Sequence, residues 1–586
     1  MKTSLRPLAV SVLLCLGLAA FPLGAAVAAP VDDAAAAVKE VKAFRAVESR
    51  RVFERLDAAR RAEAAGVQPS QHFDIGHYDI AIQVNPASRT IAGTVTMSFE
   101  ATQSLDQVKM RLHPKLKATG STLDGAPFKT GRDGANLTFK LKPALQPGQT
   151  HVLTVDYSGT PVVTGGLGGG MMFGAHDGVS SATTLSEPFD SYAWWPCVDD
   201  VLDKATMEMH ITVPAGMSGA SNGTLTGTTT NPDGTVTYSW REDYPLPNYL
   251  ISANVTNYLL FTDHYTSLDG KTVMPIEYYV YPEGLANATA TVTRVPDMIA
   301  YYATLAGEYP FLNEKYGMVA FPWGGGMEHQ TLTSMGDDYF GGRVGDFDGI
   351  YSHELAHMWW GDNVTCATWN DIWLNEGFAT YYEVLWLVRR FGVQEGEFMD
   401  QYYDDGNPNG YLGGSVYRTN GNQPFADTGA VYDKGAWVLH MLKHVMGEAG
   451  FNQALRDYRA AHQLGNASTA DLRAACEAAY GQPLTWFFDQ WIYTPKRPIY
   501  RFSFAAGTGS VTVTLDQTQP QKVANRTSNR DTYIMPVDFT LHYQDGTAET
   551  RTALNDKRSQ TFAFSVSKPV TSVGFDEEHW ILKAMR

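Results

Sequence analysis

Four side chains in one stretch have the types and spacing for metal chemistry. They are His353, Glu354 and His357 in HELAH, and Glu376 after eighteen intervening residues. On a helix His353 and His357 would stand one turn apart, about 40° from each other around the axis, on a single face. Two neutral imidazoles so placed can grip one zinc ion. Glu354 would project beside the metal, where a general base for an activated water belongs. H-E-x-x-H alone arises by chance on ordinary helices. The added glutamate opens a second helical run, NEGFATYYEVLWLV, and supplies a third ligand.

These groups need a scaffold, and the chain is long enough for roughly three or four domains at 586 residues. The formal net charge of −17 argues against a nucleic-acid partner, which would need a basic face. Lys2 and Arg6, an apolar run from Leu8 to Leu23 and the small-residue sequence Ala26-Val27-Ala28 read as a signal peptide over residues 1–28, and so as an exported protein, periplasmic or secreted. No later stretch is long and apolar enough to span a bilayer. Beyond the leader, Cys197, Cys366 and Cys476 make no disulfide framework, since at most one pair can form, and no C-x-x-C is present to hold zinc.

Residues 29–69 read as a charged helical segment. From Phe73 the apolar period becomes two: Tyr78, Ile80, Ile82 and Val84, then Val95, Met97 and Phe99. Short strands of this kind predict an antiparallel β domain over residues 70–262. From about Pro275 the pattern turns helical, giving a mainly helical catalytic domain over residues 263–496. TPKRP marks a boundary. Beyond it Val511, Val513 and Leu515, then Val537, Phe539 and Leu541, alternate again, so residues 497–586 read as a β-sandwich. The fold class is multidomain α+β.

Three other patterns carry less. The Gly-rich stretch 161–178 lacks a phosphate-loop signature and reads as a mobile loop near the cleft. GASNG imitates a serine-hydrolase elbow, but no helix follows, so Ser221 reads as a turn residue. His440 and His444 repeat the four-residue spacing, yet Lys443 stands where a base would and no acidic partner is evident. They read as a structural pair.

The HELAH-to-Glu376 stretch resembles the core of the aminopeptidase N family, zinc aminopeptidases of the gluzincin group that include leukotriene hydrolase relatives. GGGMEHQ, residues 324–330, resembles the family's G-x-M-E-N element, an edge strand beside the substrate. The resemblance implies substrate contacts from Gly325, Gly326 and Met327, and makes Glu328 the carboxylate that binds the substrate's α-ammonium. His329 departs from the usual Asn. In TLSEPFDSYAWWPCVDD, Glu187 falls where the family places a second group on that ammonium, while Tyr192 and Asp200 depart from the usual Arg and Glu. VYDKG resembles the family's Y-x-K-G and makes Tyr432 the oxyanion donor. Glu383, seven residues after Glu376 and on the same helical face, is placed to orient a ligand histidine.

Together these imply a thermolysin-like catalytic domain holding one zinc ion per chain through His353, His357 and Glu376. Glu354 would be the base, and the substrates would be peptides with a free N-terminus. A carboxylate at a fixed distance from zinc pairs with an ammonium only when the first peptide bond lies on the metal, which makes an exopeptidase. A zinc endopeptidase sharing the metal motif, and a non-catalytic binding protein on a peptidase fold, are the rival readings.

Overall fold

The structure, a computed structural model, describes residues 72–586 apart from 165–168, 343–344, 346, 405–411 and 521–529. The leader and the charged segment up to residue 69 lie outside the described residues.

Period-two alternation builds the first layers. Phe73–Asn85 buries Tyr78, Ile80, Ile82 and Val84 on one face and pairs antiparallel with Thr90–Ala101. These are central strands of an eight-stranded sheet. Among the described residues the expected antiparallel character has one exception: Phe73–Asn85 runs parallel to Ala205–Val213. Alternation reports which face is buried and is blind to strand direction. A second sheet of five strands includes Gly169–His176, paired with Val179–Leu185. Much of the Gly-rich stretch expected to be a loop is therefore a strand. Ser221, expected in a turn, ends the strand Ser218–Ser221, buried, with its hydroxyl donating to the Ser252 carbonyl at 2.7 Å.

A third sheet belongs to the catalytic region and corrects the expectation that helix begins near Pro275. Leu259–Thr266, Val273–Val280, Tyr316–Phe321, Thr333–Gly336 and Gly326–Met327 lie side by side in that order. Pro275 is opposite His264 in an antiparallel pair. Every residue of Tyr316–Phe321 is buried. A strand covered on both faces shows no alternation, and periodicity cannot separate it from a helix segment. The chain enters this sheet at Leu259, four residues before the expected boundary at 263.

Three helices position the candidate site residues: α1 (Asp348–His357), α2 (Trp373–Phe391) and α3 (Asp433–Met446). Asp348, in the first turn of α1, is buried and accepts from Arg294 at 3.1 Å and Trp386 at 3.3 Å, with Arg390 3.0 Å away. A carboxylate there also complements the helix dipole. Gly392, in the left-handed region with φ 65°, closes α2. Helices α2 and α3 meet at Gly377 and Gly435, where a Cβ on either would lie 2.9 Å from the other's Cα. Only glycine at both positions lets the backbones come that close.

Strands 499–507, 510–517, 559–565 and 584–585 face strands 535–543, 548–555 and 570–575 across a core of Phe502, Phe539, Phe562 and Phe575. This C-terminal sandwich docks on α3 through Trp580, whose ring stacks on His440 (4.8 Å) and His444 (4.9 Å). The second histidine pair is thus packing, not metal binding. Cys197, Cys366 and Cys476 are buried free thiols. No helix among the described residues is long and apolar enough to cross a membrane.

The Gly377–Gly435 contact yields a test. Gly435→Val should cost about 1–3 kcal/mol through overpacking, read as a lower unfolding midpoint. It should also push the start of α3 away from α2, so that activity falls in folded protein that still holds metal.

Candidate active site

The sequence places His353 and His357 on the last turns of α1, and α1 packs across α2 so that Glu376, in the first turn of α2, faces them. His353 Nε2 and His357 Nε2 are 3.3 Å apart, and Glu376 Oε2 lies 3.4 Å from each. A tetrahedral zinc with bonds of about 2.0–2.1 Å sets its ligand atoms about 3.3–3.4 Å apart. The donor set therefore has the edge lengths that zinc requires. Burial works against charge on His353, but Glu376, Glu383 and Glu354 outweigh it and hold the imidazole well above its usual pKa. Burial would likewise raise Glu376, but His357 and His353 draw it down to about 2. A dication would replace the proton on this pair.

Each imidazole is fixed from behind. His353 Nδ1 is 3.3 Å from Glu383 Oε2, and Tyr403 donates to the other oxygen of Glu383 at 3.0 Å. Glu383 thus lies where its spacing suggested, behind His353. His357 Nδ1 is 3.1 Å from the Trp360 carbonyl. The sequence carries no signal for Trp360, because the contact is a backbone oxygen, or for Tyr403, which reaches in from the end of the helix Glu395–Tyr403.

Glu354 is buried, and its carboxylate lies with those of Glu328 and a nitrogen of His357 inside a 4.8 Å group. Gly326 passes directly over it, and a Cβ there would overlap the Glu354 carboxylate. Gly326–Met327 pairs with Ser334–Met335 as the edge of its sheet, and the Gly336 amide donates to the Gly325 carbonyl at 2.8 Å. Met327 is buried beneath the strand. Tyr432 is the N-cap of α3, with its ring parallel to that of His353 at 6.0 Å.

Glu187, Glu328 and Glu376 form a further 4.8 Å group. Oε1 of Glu187 and Oε1 of Glu328 are both buried without a hydrogen-bond partner. Burial pushes Glu187 well above the usual carboxylate range, and Glu328, Glu376 and Glu354 add to the push. Burial raises Glu328 as well, against the pull of His357. Two orphan carboxylate oxygens at one spot call for a cation with several donors.

Two departures from the resembled family, His329 and Tyr192, have structural roles. His329 is fully buried with Nδ1 2.8 Å from Ser334 Oγ, and burial pushes its pKa down to about 3, so it stays neutral. Tyr192 carries the Arg111 guanidinium over its ring at 4.0 Å, and Arg111 pairs with Asp199. Asp362 went unnoticed in the sequence. Its carboxyl is buried with both oxygens unpartnered, and burial followed by the charge of Glu328 raises it, while the Lys204 charge opposes. Lys204 donates to the Asp362 and Asn363 carbonyls at 2.8 and 3.2 Å. A second potential ligand group among the described residues, Asp79, Glu208 and His210, is half-buried on the outer sheet face, and Arg241 already binds Glu208 at 2.6 Å.

Replacing Glu383 by Ala should lower zinc affinity by about 10–100-fold. His353→Ala, by contrast, should leave no zinc after dialysis. Both are read by metal analysis.

Known proteins can be set beside this geometry. The descriptions "Peptidase M1 N-terminal domain" and "Peptidase family M1 domain" match residues 75–250 and 294–491. An aminopeptidase N of Haemonchus contortus is 26% identical over 70% of this chain and 44% of its own length. A glutamyl aminopeptidase of Bos taurus is 27% identical over 55% of this chain and 35% of its own. The chain thus spans about half or less of these curated relatives. An M1 zinc metallopeptidase of Deinococcus radiodurans, solved with a Tyr-Ser-Ala substrate, is 26% identical with a TM-score of 0.64, covering 73% of this chain and 96% of that one. A Legionella pneumophila aminopeptidase A superposes with a TM-score of 0.73 over 89% of this chain and 60% of its own, at 15% identity, a likeness of fold alone.

Proposed function

From its membership of peptidase family M1, we propose that this chain is a zinc-dependent aminopeptidase that removes the first residue of peptides. The observation that carries the reading is the pair of orphan buried oxygens on Glu187 and Glu328, set beside the three metal-ligand atoms. His353, His357 and Glu376 would hold one zinc ion per chain. Bound there, zinc supplies Lewis-acid activation of water and of the scissile carbonyl.

The chain's own residues do the rest. Glu328 and Glu187 bind the substrate α-ammonium, each through a charge-assisted hydrogen bond. This anchors the amino end so that only the first carbonyl reaches the metal side of the site. Gly326 and Met327 lay an edge strand along the substrate backbone. Glu354 takes a proton from the attacking water and delivers it to the leaving nitrogen. Tyr432 donates its hydroxyl proton to the oxygen that gains charge on the attacked carbon. Glu383 and the Trp360 carbonyl hold the two imidazoles in the tautomer that offers Nε2 to the metal.

A family endopeptidase would have no use for two unpaired buried carboxylates at the amino end of its cleft, so the exopeptidase reading is preferred. A Deinococcus radiodurans relative solved with a tripeptide supports peptide as the substrate class. The leader pattern at Lys2–Ala28 supports export as part of the proposal.

Peptides with a free and an N-acetylated terminus decide between the readings. The free form should be cleaved at its first bond and the blocked form spared, whereas efficient cleavage of the blocked form would overturn the role of Glu328. Glu354→Gln should keep its zinc and lose kcat by about 10²–10⁴-fold. Tyr432→Phe should lower kcat by about 10²–10³-fold with KM little changed.

A further inference from the structure

Glu328 follows a strand of only two residues, Gly326–Met327, so sheet pairing alone holds it loosely. The segment just after it is held by something else. The Leu332 amide donates to the His329 carbonyl at 2.9 Å, closing a turn around Gln330 and Thr331, both fully buried. Thr331 has φ 61°, in the left-handed region. For a β-branched residue this is an outlier, and such conformations persist where the surroundings over-determine them.

The surroundings centre on one carboxyl. Glu242, on the strand Val236–Leu246 of the eight-stranded sheet, is fully buried. Its Oε2 accepts from the Thr331 hydroxyl at 2.8 Å and its Oε1 from Gln330 Nε2 at 3.1 Å. The Gly223 amide donates to the Thr331 hydroxyl at 2.7 Å, and Asn222 Nδ2 donates to the Gln330 carbonyl at 2.6 Å. Gln330 Nε2 also reaches the Tyr244 carbonyl at 3.2 Å. Glu314 lies against Glu242 and accepts from the Asp243 amide at 2.7 Å. The groups that hold the Gln330 and Thr331 side chains come from the amino-terminal β layers, while His329 is tied to Ser334 of its own sheet and Glu328 points toward the metal site. The grip answers a need, because Glu328 sits among Glu187, Glu354 and Glu376, and an unheld turn would let it swing away from its like-charged neighbours.

We infer that Glu242 is a positioning residue for the substrate's amino terminus: by clamping Gln330 and Thr331 in their strained turn it fixes the Glu328 carboxylate relative to the metal site. This rests on the reading of Glu328 as the ammonium anchor. Glu242 touches no substrate atom; it acts through Thr331 and Gln330.

The test compares two zinc-directed probes on the zinc-loaded enzyme by titration calorimetry. Alanine hydroxamate carries the α-ammonium, and propionohydroxamate has the same shape without it. The ratio of their affinities measures what the ammonium site contributes. In Glu242→Leu, propionohydroxamate should bind as it does to the wild type. The alanine hydroxamate advantage should shrink by about tenfold to a hundredfold, the scale of a 1 Å misplacement, toward its value in Glu328→Gln. Thr331→Val keeps the shape and removes the hydroxyl link, and it should show the same selective loss to a smaller degree; it decides the matter if Glu242→Leu does not fold. Wild-type ratios in the folded variants would overturn the positioning role, as would equal weakening of both probes, which marks a general structural defect. A wild-type ratio near one would instead overturn the reading of Glu328, and the inference would fall with it.

Discussion

The interaction on which the rest depends is the crowding of carboxylates in a buried pocket. Glu187, Glu328 and Glu376 offer oxygens within 4.8 Å of one another, and Glu354 joins Glu328 in an equally tight group. At that separation two unit charges repel by about 3 kcal/mol at an effective dielectric of about 20, and each carries a desolvation cost besides. No fold would gather these groups for stability. The gathering makes sense if positive charge arrives. A zinc ion on His353, His357 and Glu376 and a substrate ammonium beside Glu187 and Glu328 would each offset part of this negative charge. In the proposed reading Glu354 is the member of the group left free of both cations to accept a proton during hydrolysis.

Holding such a set together is a packing problem, and the protein solves it with close backbone approaches. Gly377 and Gly435 let α2 and α3 touch, which brings Tyr432 at the start of α3 beside His353. Gly326 lets the edge strand pass over Glu354. Around these contacts lie large aromatic side chains: Trp359, Trp360 and Trp373 are all fully buried. Their bulk forms rigid walls, and interiors at crystal-like density do not give when like charges push. The same density keeps water from screening the carboxylates, which strengthens their hold on an arriving cation.

The metal set was legible in the sequence because helical periodicity alone places His353 and His357 on one face, and Glu376 starts a second helix. Glu383 was legible for the same reason. The sheet whose edge precedes Glu328 was not legible from periodicity, since Tyr316–Phe321 is apolar throughout and shows no alternation; only the family resemblance pointed to its edge strand. Nor was the direction of Ala205–Val213, because the side-chain period does not distinguish parallel from antiparallel pairing. Trp360 was invisible for a different reason: its carbonyl, not its side chain, orients His357. Asp362 sits five residues past His357 in plain view, but only burial separates an orphan carboxylate from a solvated one.

Glu242 is the extreme case. Nothing in WREDYPLP marks its glutamate apart from the exposed Asp243 beside it, and it lies 86 positions before Glu328 in the chain. Its meaning appears only when a strand of the amino-terminal sheet is laid beside the turn after Glu328. The metal could be held by α1 and α2 alone, as could the base. The proposed ammonium site could not: Glu187 comes from the amino-terminal β layers, and the turn after Glu328 is clamped by Glu242, Asn222 and Gly223 from those layers. In the proposed reading, hydrolytic power and amino-end selectivity would therefore be carried by different parts of the chain, joined at the Gly326–Met327 edge. A metal site of this kind, without those β layers, would cut peptides with no means of counting from the end.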